Sequence, residues 1–170
     1  IQLARWAGAT VITTVSSAEK AALARAAGAN HVVNYKESDA AAEIRGFAPG
    51  GVDIIVEVSP TQNAVLNLAV AANHATVAVY ANNGGDRMTL DGRKHFSLNI
   101  RYQFLLLYTV GNDALTAAIA DVTAAVRDGA MIVGEDAGLP LHRFDLAHTA
   151  DAHAAVERGV VGKVLIDVAV

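Results

Sequence analysis

Ala7-Gly8-Ala9-Thr10-Val11-Ile12 and Ala27-Gly28-Ala29-Asn30-His31-Val32-Val33 are the same phrase written twice. Each reads as a helix end, a glycine stop and the start of a β-branched strand. Glycine suits the left-handed backbone position that closes a helix, because it has no Cβ to clash there. Between the two copies lies Thr13-Thr14-Val15-Ser16-Ser17-Ala18-Glu19-Lys20, a strand end running into helix-start residues. Helix, strand, helix, strand at this spacing is the βαβ pattern of a parallel sheet.

The pattern continues outward. Ile1 to Ala7 reads as an amphipathic helix that runs to the stop at Gly8. Glu37 to Phe47 reads as a short helix stopped by Ala48-Pro49-Gly50-Gly51, followed by a strand over Val52 to Val58. Thr61 to Ala72 is a helix, Thr76 to Tyr80 a strand and Ala81 to Arg87 a Gly/Asn-rich loop. Ser97 to Tyr108 is a long apolar strand candidate and Asn112 to Arg127 an alanine-rich helix closed by Asp128-Gly129. Leu139 to Leu146 is a short strand, Ala150 to Arg158 a helix stopped by Gly159, and Lys163 to Val168 a last strand. The runs Val11-Ile12, Ile54-Ile55-Val56 and Val77-Ala78-Val79 do not alternate, as expected of strands with helices over both faces. The expected fold class is therefore α/β, a doubly wound parallel sheet in one domain over 1–170.

Composition narrows the function. With 170 residues, 53% of them apolar and 18% charged, the chain can bury a real core. A net charge of −4 without any Lys/Arg run argues against nucleic acid, whose phosphates need a clustered basic surface. The absence of cysteine excludes disulfides and thiolate zinc sites within these residues and suits a cytoplasmic setting. The longest strongly apolar stretch, Phe104 to Val110, is too short to span a bilayer, so no membrane partner is expected. The six histidines do not cluster, so no metal site is expected. Asp53 and Glu57 fall at opposite ends of one strand and make no acid/base pair. Nothing resembles a nucleophile elbow.

In dinucleotide-binding folds the end of the second strand meets the adenosine ribose, where an Asp or Glu bonds the 2′-hydroxyl of NAD. Here that end is Val15-Ser16-Ser17, with no acid, and Lys20 follows within one helical turn. Hydroxyls, a helix N-terminus and a lysine suit a 2′-phosphate, which an acid would repel. The expected cofactor is therefore NADP(H). Ser16-Ser17-Ala18-Glu19 also reads as a capping box, with Ser16 as cap and Glu19 reaching back. Cap and ligand remain open as roles for Ser16.

The run from Val11 to Tyr35 resembles the cofactor domain of the medium-chain dehydrogenase/reductase superfamily, in its zinc-free NADPH:quinone oxidoreductase branch. The likeness continues through Gly51-Val52-Asp53-Ile54-Ile55-Val56-Glu57, then Ala152-His153 to Glu157, Gly159 and Gly162-Lys163-Val164-Leu165-Ile166. It implies a Rossmann-type domain of a two-domain NADPH-dependent reductase. The family's lysine and tyrosine on the 2′-phosphate match Lys20 and Tyr35 in type and order. Val58 and Ser59 match its turn near the cofactor, although Pro60 stands where a glycine is usual and removes an amide donor. Tyr80, Ala81 and Asn82 match the strand end beside the nicotinamide, with Ala81 in place of the usual glycine. Asn82 and Asn83 read equally well as loop geometry. Phe104 and its neighbours resemble the segment that closes over the nicotinamide, and plain burial in an edge strand is the simpler reading. Arg158 and Lys163 are two further cations for the same phosphate, or else a helix-end cation and a surface lysine.

The resemblance also implies that the first strand, its glycine-rich turn and an N-terminal GroES-like catalytic domain are not part of these residues. The expected function is hydride transfer from NADPH to a quinone or enone, a small-molecule electron acceptor. Enoyl-thioester reductases and zinc-type alcohol dehydrogenases of the same superfamily are the alternatives within the class. A non-catalytic NADPH-binding or crystallin-like structural module is the alternative outside it. A long apolar edge strand from Ser97 to Leu107 predicts a homodimer joined through that edge.

Overall fold

The computed structural model describes residues 1–85 and 87–168. In chain order the elements are α1 (Gln2–Trp6), β1 (Ile12–Val15), α2 (Ala18–Ala26), β2 (His31–Asn34), α3 (Ala40–Phe47), β3 (Val52–Glu57), α4 (Pro60–Val70) and β4 (Ala71–Val79). They continue with α5 (Gly92–Ser97), β5 (Arg101–Phe104), α6 (Asn112–Arg127), β6 (Leu141–Asp145), α7 (Thr149–Glu157) and β7 (Lys163–Asp167). Every strand pairing is parallel, as the βαβ pattern requires. The pairings form three sheets, β1-β2, β3-β4-β5 and β6-β7, and the α/β class with parallel strands is the one expected. Among the described residues no strand bonds to the edge of β1 away from β2, and none bonds to the edge of β3 away from β4.

By its contacts the chain divides into two compact units, one of residues 1–34 with those from Val122 onward and one of Tyr35–Asp121. In the first, α2 lays Ala21 and Ala24 on Val15, with Ala29 and Val32 at the border of the cluster. Alanine on the inner face lets the helix axis approach the strands closely. Gly28, at φ +92°, ends α2. Its N–H bonds Arg25 O at 2.9 Å, and the next N–H, of Ala29, bonds Ala24 O at 3.1 Å. These paired bonds satisfy carbonyls that the helix end would otherwise leave open. Gly8, Gly129 and Gly159 repeat the arrangement after α1, α6 and α7, so the repeated phrase read in the sequence is a repeated helix stop.

In the second unit β4 is the middle strand, and Ala71, Ala75, Val77 and Val79 are its buried residues. Arg45 in α3 donates to Pro49 O at 3.2 Å, Ala69 O at 2.8 Å and Ala71 O at 3.2 Å, tying the ends of α3 and α4 together. Gly51 makes the closest approach: a Cβ there would meet Ala72 N at 2.5 Å. Its backbone is also left-handed, so both space and conformation demand glycine.

Two expectations need correction here. The strand expected from Ser97 to Tyr108 is only Arg101–Phe104, and Ser97 ends α5 instead. The register explains the length: Phe104 lies opposite Val79, the last residue of β4, so β5 runs out of partner there. Leu105 makes one more bond, its N–H to Val79 O at 2.8 Å, before the chain turns away. The apolar run in β3 is not covered on both faces either, since Ile54 and Val56, two apart and on one side, are about 70% exposed.

At the end of β6, Asp145 accepts from the His148 N–H at 3.0 Å, and its Oδ1 pairs with His148 Nδ1 at 2.7 Å. The hydrogen bond with Asp145 raises the His148 pKa above 6.5, and the same bond lowers that of Asp145 below 3.8. A raised histidine stabilises below its unfolded pKa and loses this as pH rises through the folded value. A lowered carboxylate stabilises above its unfolded pKa and loses this as pH falls through the folded one. The pair is therefore fully formed between pH 3.8 and 6.5 and fades on both sides. Asp145→Asn is expected to move the His148 midpoint down in an NMR titration; an unchanged midpoint contradicts the pairing.

Candidate functional site

At the end of β1 the chain leaves Val15 buried and turns into α2. Ser17, not Ser16, is the cap: its Oγ accepts the Lys20 N–H at 3.2 Å. The reason is geometric. A cap oxygen reaches the third helical N–H, and a helix that begins at Ala18 puts that N–H on Lys20, three residues after Ser17. The capping box with Ser16 as cap is thereby corrected. Ser16 Oγ is left to accept from Lys20 Nζ at 3.2 Å. Lys20 thus meets Ser17 through its backbone and Ser16 through its ammonium, and it makes no ion pair among the described residues. One cation and two hydroxyls stand together at a helix N-terminus, a combination suited to a phosphate. Tyr35 follows the last residue of β2 and is half exposed.

The turn after β3 is organised by Glu57, a carboxylate only 4% exposed. Its Oε1 accepts from the amides of Val58 at 2.8 Å and Ser59 at 2.6 Å and from Asn63 Nδ2 at 3.0 Å. Its Oε2 accepts from Asn67 Nδ2 at 2.6 Å. Four N–H donors hold this buried oxygen pair without a cation. The Val58 carbonyl accepts from the Asn83 N–H at 3.0 Å. Val58 and Ser59, both expected at the cofactor, therefore have their backbone donors committed to Glu57. What remains there is Ser59 Oγ, which is buried and has no hydrogen-bond partner among the described residues. Sequence reasoning passed over Glu57 as half of a failed acid/base pair; the Asn63 and Asn67 spacing along α4 was the signal that it would be held.

An open cleft of about 540 Å³ lies at the carboxyl ends of β4 and β5, where open parallel sheets bind ligands. Tyr80, Ala81, Asn82 and Phe104 line it together, as do Met88, Leu105, Leu106 and Thr109. Phe104 is 60% exposed, so plain burial in an edge strand is not its state. Asn82 also shapes the loop: its Oδ1 accepts from Thr61 Oγ1 at 3.1 Å and its Nδ2 donates to Gly85 O. Behind Phe104, Tyr102 stacks on its ring with centroids 6.3 Å apart. His95 Nδ1 must donate to Asp91 O, 2.7 Å away, because a carbonyl only accepts; His95 Nε2, when neutral, then accepts from Tyr102 Oη at 3.1 Å. Burial, reinforced by the charge of Glu57, raises the Tyr102 pKa above 10.0, which keeps that proton in place. This support was not legible beforehand, because α5 itself was missed. Asp91, whose carboxylate accepts the Lys94 N–H at 3.1 Å, was the cap signal that could have found it.

Arg158 is the exposed C-cap of α7, and Lys163 opens β7 at the surface. Neither bonds to Ser16, Ser17 or Lys20 among the described residues. Nor is any group of three or more His, Asp or Glu placed to hold a metal ion there. Glu57→Gln turns one acceptor oxygen into a donor amid four donors. It is expected to cost roughly 1–3 kcal/mol of stability in denaturant unfolding, and an unchanged midpoint contradicts the account of the turn.

Comparison with known proteins adds the following. A family model described as zinc-binding dehydrogenase matches residues 1–124. A 2-haloacrylate reductase from a Burkholderia species is 47% identical over 55 residues, which is 32% of this chain and 16% of that one. A probable quinone oxidoreductase from Leishmania amazonensis is 37% identical over 75 residues, 42% of this chain and 21% of that one. A mycobacterial protein, solved as a complex with NADPH, superposes with a TM-score of 0.78 at 28% identity over 97% of this chain. The chain spans about half the length of that structure, 51%.

Proposed function

The chain belongs to the zinc-binding dehydrogenase family, a family of oxidoreductases, and we propose that it is the cofactor-binding half of an NADPH-dependent reductase. The observation that carries this reading is the Lys20 ammonium held on Ser16 at a capped helix N-terminus, with no carboxylate at the end of β1. On this reading Ser16, Ser17 and Lys20 hold the 2′-phosphate, and Tyr35 is a further proposed ligand by type and order in the sequence. The cleft of Tyr80, Ala81, Asn82 and Phe104 receives the nicotinamide, whose flat ring suits an apolar wall and whose amide suits Asn82. When bound, NADPH supplies the hydride, and a quinone or enone is the proposed acceptor. This chain's residues bind, orient and keep water from one side of the ring. The family description names zinc, but no described residues fit a metal site, so no step here passes through one.

We also propose that the protein is a homodimer. Among the described residues no strand lies beside the outer edge of β5, and Leu106, Leu107 and Tyr108 just beyond are exposed. Light scattering of the full-length protein at micromolar concentration is expected to give a dimer mass; a monomer contradicts it.

Lys20→Ala tests the cofactor reading. It should weaken NADPH binding about tenfold or more, in keeping with the roughly 1.5–3 kcal/mol of a charged hydrogen bond, and leave NADH binding unchanged. Equal loss for both cofactors, or no loss, counts against the phosphate site.

A further inference from the structure

Nine asparagines occur in the chain, and Asn83 alone is followed by glycine. It lies in the turn after β4, exposed, next to the cleft residue Asn82. Its side chain makes no hydrogen bond among the described residues, and the Gly84 amide donates none. Asn82 differs on both counts, because its amide is engaged with Thr61 and Gly85 and its successor carries a Cβ.

We propose that Asn83 is a site of spontaneous deamidation that progressively switches off dinucleotide binding at the neighbouring cleft. The Gly84 backbone nitrogen attacks Asn83 Cγ; the N–Cγ bond forms, the Cγ–Nδ2 bond breaks, and the amide leaves as ammonia after taking up the proton lost by the Gly84 nitrogen. Water then opens the five-membered ring at either carbonyl, giving aspartate or isoaspartate. No oxidant or reductant is required. Glycine matters because without a Cβ its nitrogen can reach the folded-back side chain, and asparagine is among the thermolabile residues for this reason.

The product differs in two ways. It carries a new negative charge beside a cleft that, under the proposed function, receives an anionic dinucleotide, so binding weakens. Isoaspartate also lengthens the backbone by one carbon next to Gly84, which moves Gly84 against α4. Gly84 is packed so closely on α4 that a Cβ there would meet Ser59 Oγ and Gln62 Cγ at 2.8 Å. The switch therefore rests on the cofactor reading, whereas the chemical site does not.

The test is to incubate full-length protein at mildly alkaline pH and physiological temperature, map peptides by mass, and measure NADPH affinity over time beside Asn83→Gln and Asn83→Asp. The expected result is an NH2-to-OH mass gain at residue 83 and none at 82, with affinity falling several-fold in step. Asn83→Gln should hold its affinity throughout, and Asn83→Asp should start low. An intact Asn83 amide after other asparagines have reacted overturns the site. Equal NADPH affinity for the aged protein, the Asp variant and the fresh protein overturns the switch alone. A fresh protein that never binds NADPH overturns the cofactor reading and the switch with it.

Discussion

The carboxylate of Glu57 stands at the carboxyl end of β3 and draws in two consecutive backbone amides and two side-chain amides of α4. A carboxylate buried to this depth without a cation persists only if donors replace its lost water. By recruiting Val58 and Ser59 it fixes how the chain leaves β3, and by recruiting Asn63 and Asn67 it fixes where α4 begins. The Val58 carbonyl, turned outward by this arrangement, holds Asn83 and so the loop after β4. Pro60 at the first turn of α4 fits the same arrangement, since its missing N–H belongs to a helix position without a partner. The floor of the cleft at Tyr80, Ala81 and Asn82 is thus held from a neighbouring strand end.

The end of β1 is built on a different principle. Nothing there is buried beyond Val15; the arrangement is a capped helix with its lysine folded back on a serine. Such groups contribute little to stability at the surface; under the proposed function their value lies in being placed before a ligand arrives. The family match covers both strand ends, and the chain spans about half the length of an NADPH-complexed structure that it resembles. The two strand ends face different demands. One is polar and suited to phosphate; the other is an apolar cleft suited to a ring.

The elements with local signals were legible in the sequence. The glycine stops at Gly8, Gly28, Gly129 and Gly159 each need only a helix end and a left-handed residue, and the helix Asn112–Arg127 emerges with the bounds expected. The position of strand ends singles out Lys20, Tyr80 and Asn82 in the sequence, whereas Phe104 is singled out only by resemblance; the structure brings Tyr80, Asn82 and Phe104 to one cleft, and their binding roles are those proposed above. Elements set by partners were not. The length of β5 depends on where β4 stops, and β4 itself begins at Ala71 rather than Thr76, with a shift of register after Ala71 and His74 in a left-handed conformation. That early start leaves the expected helix over Thr61 to Ala72 two residues short. The cap was misplaced by one residue for a related reason, because Ser16 and Ser17 are equivalent until the helix start is known.

The most direct test of the central claim is a crystal structure of the full-length protein with NADPH. The account places the 2′-phosphate within hydrogen-bonding distance of Lys20 Nζ and Ser16 Oγ, and the nicotinamide in the cleft against Phe104 and Asn82. A bound dinucleotide with its 2′-phosphate away from Lys20, or a nicotinamide outside that cleft, contradicts it.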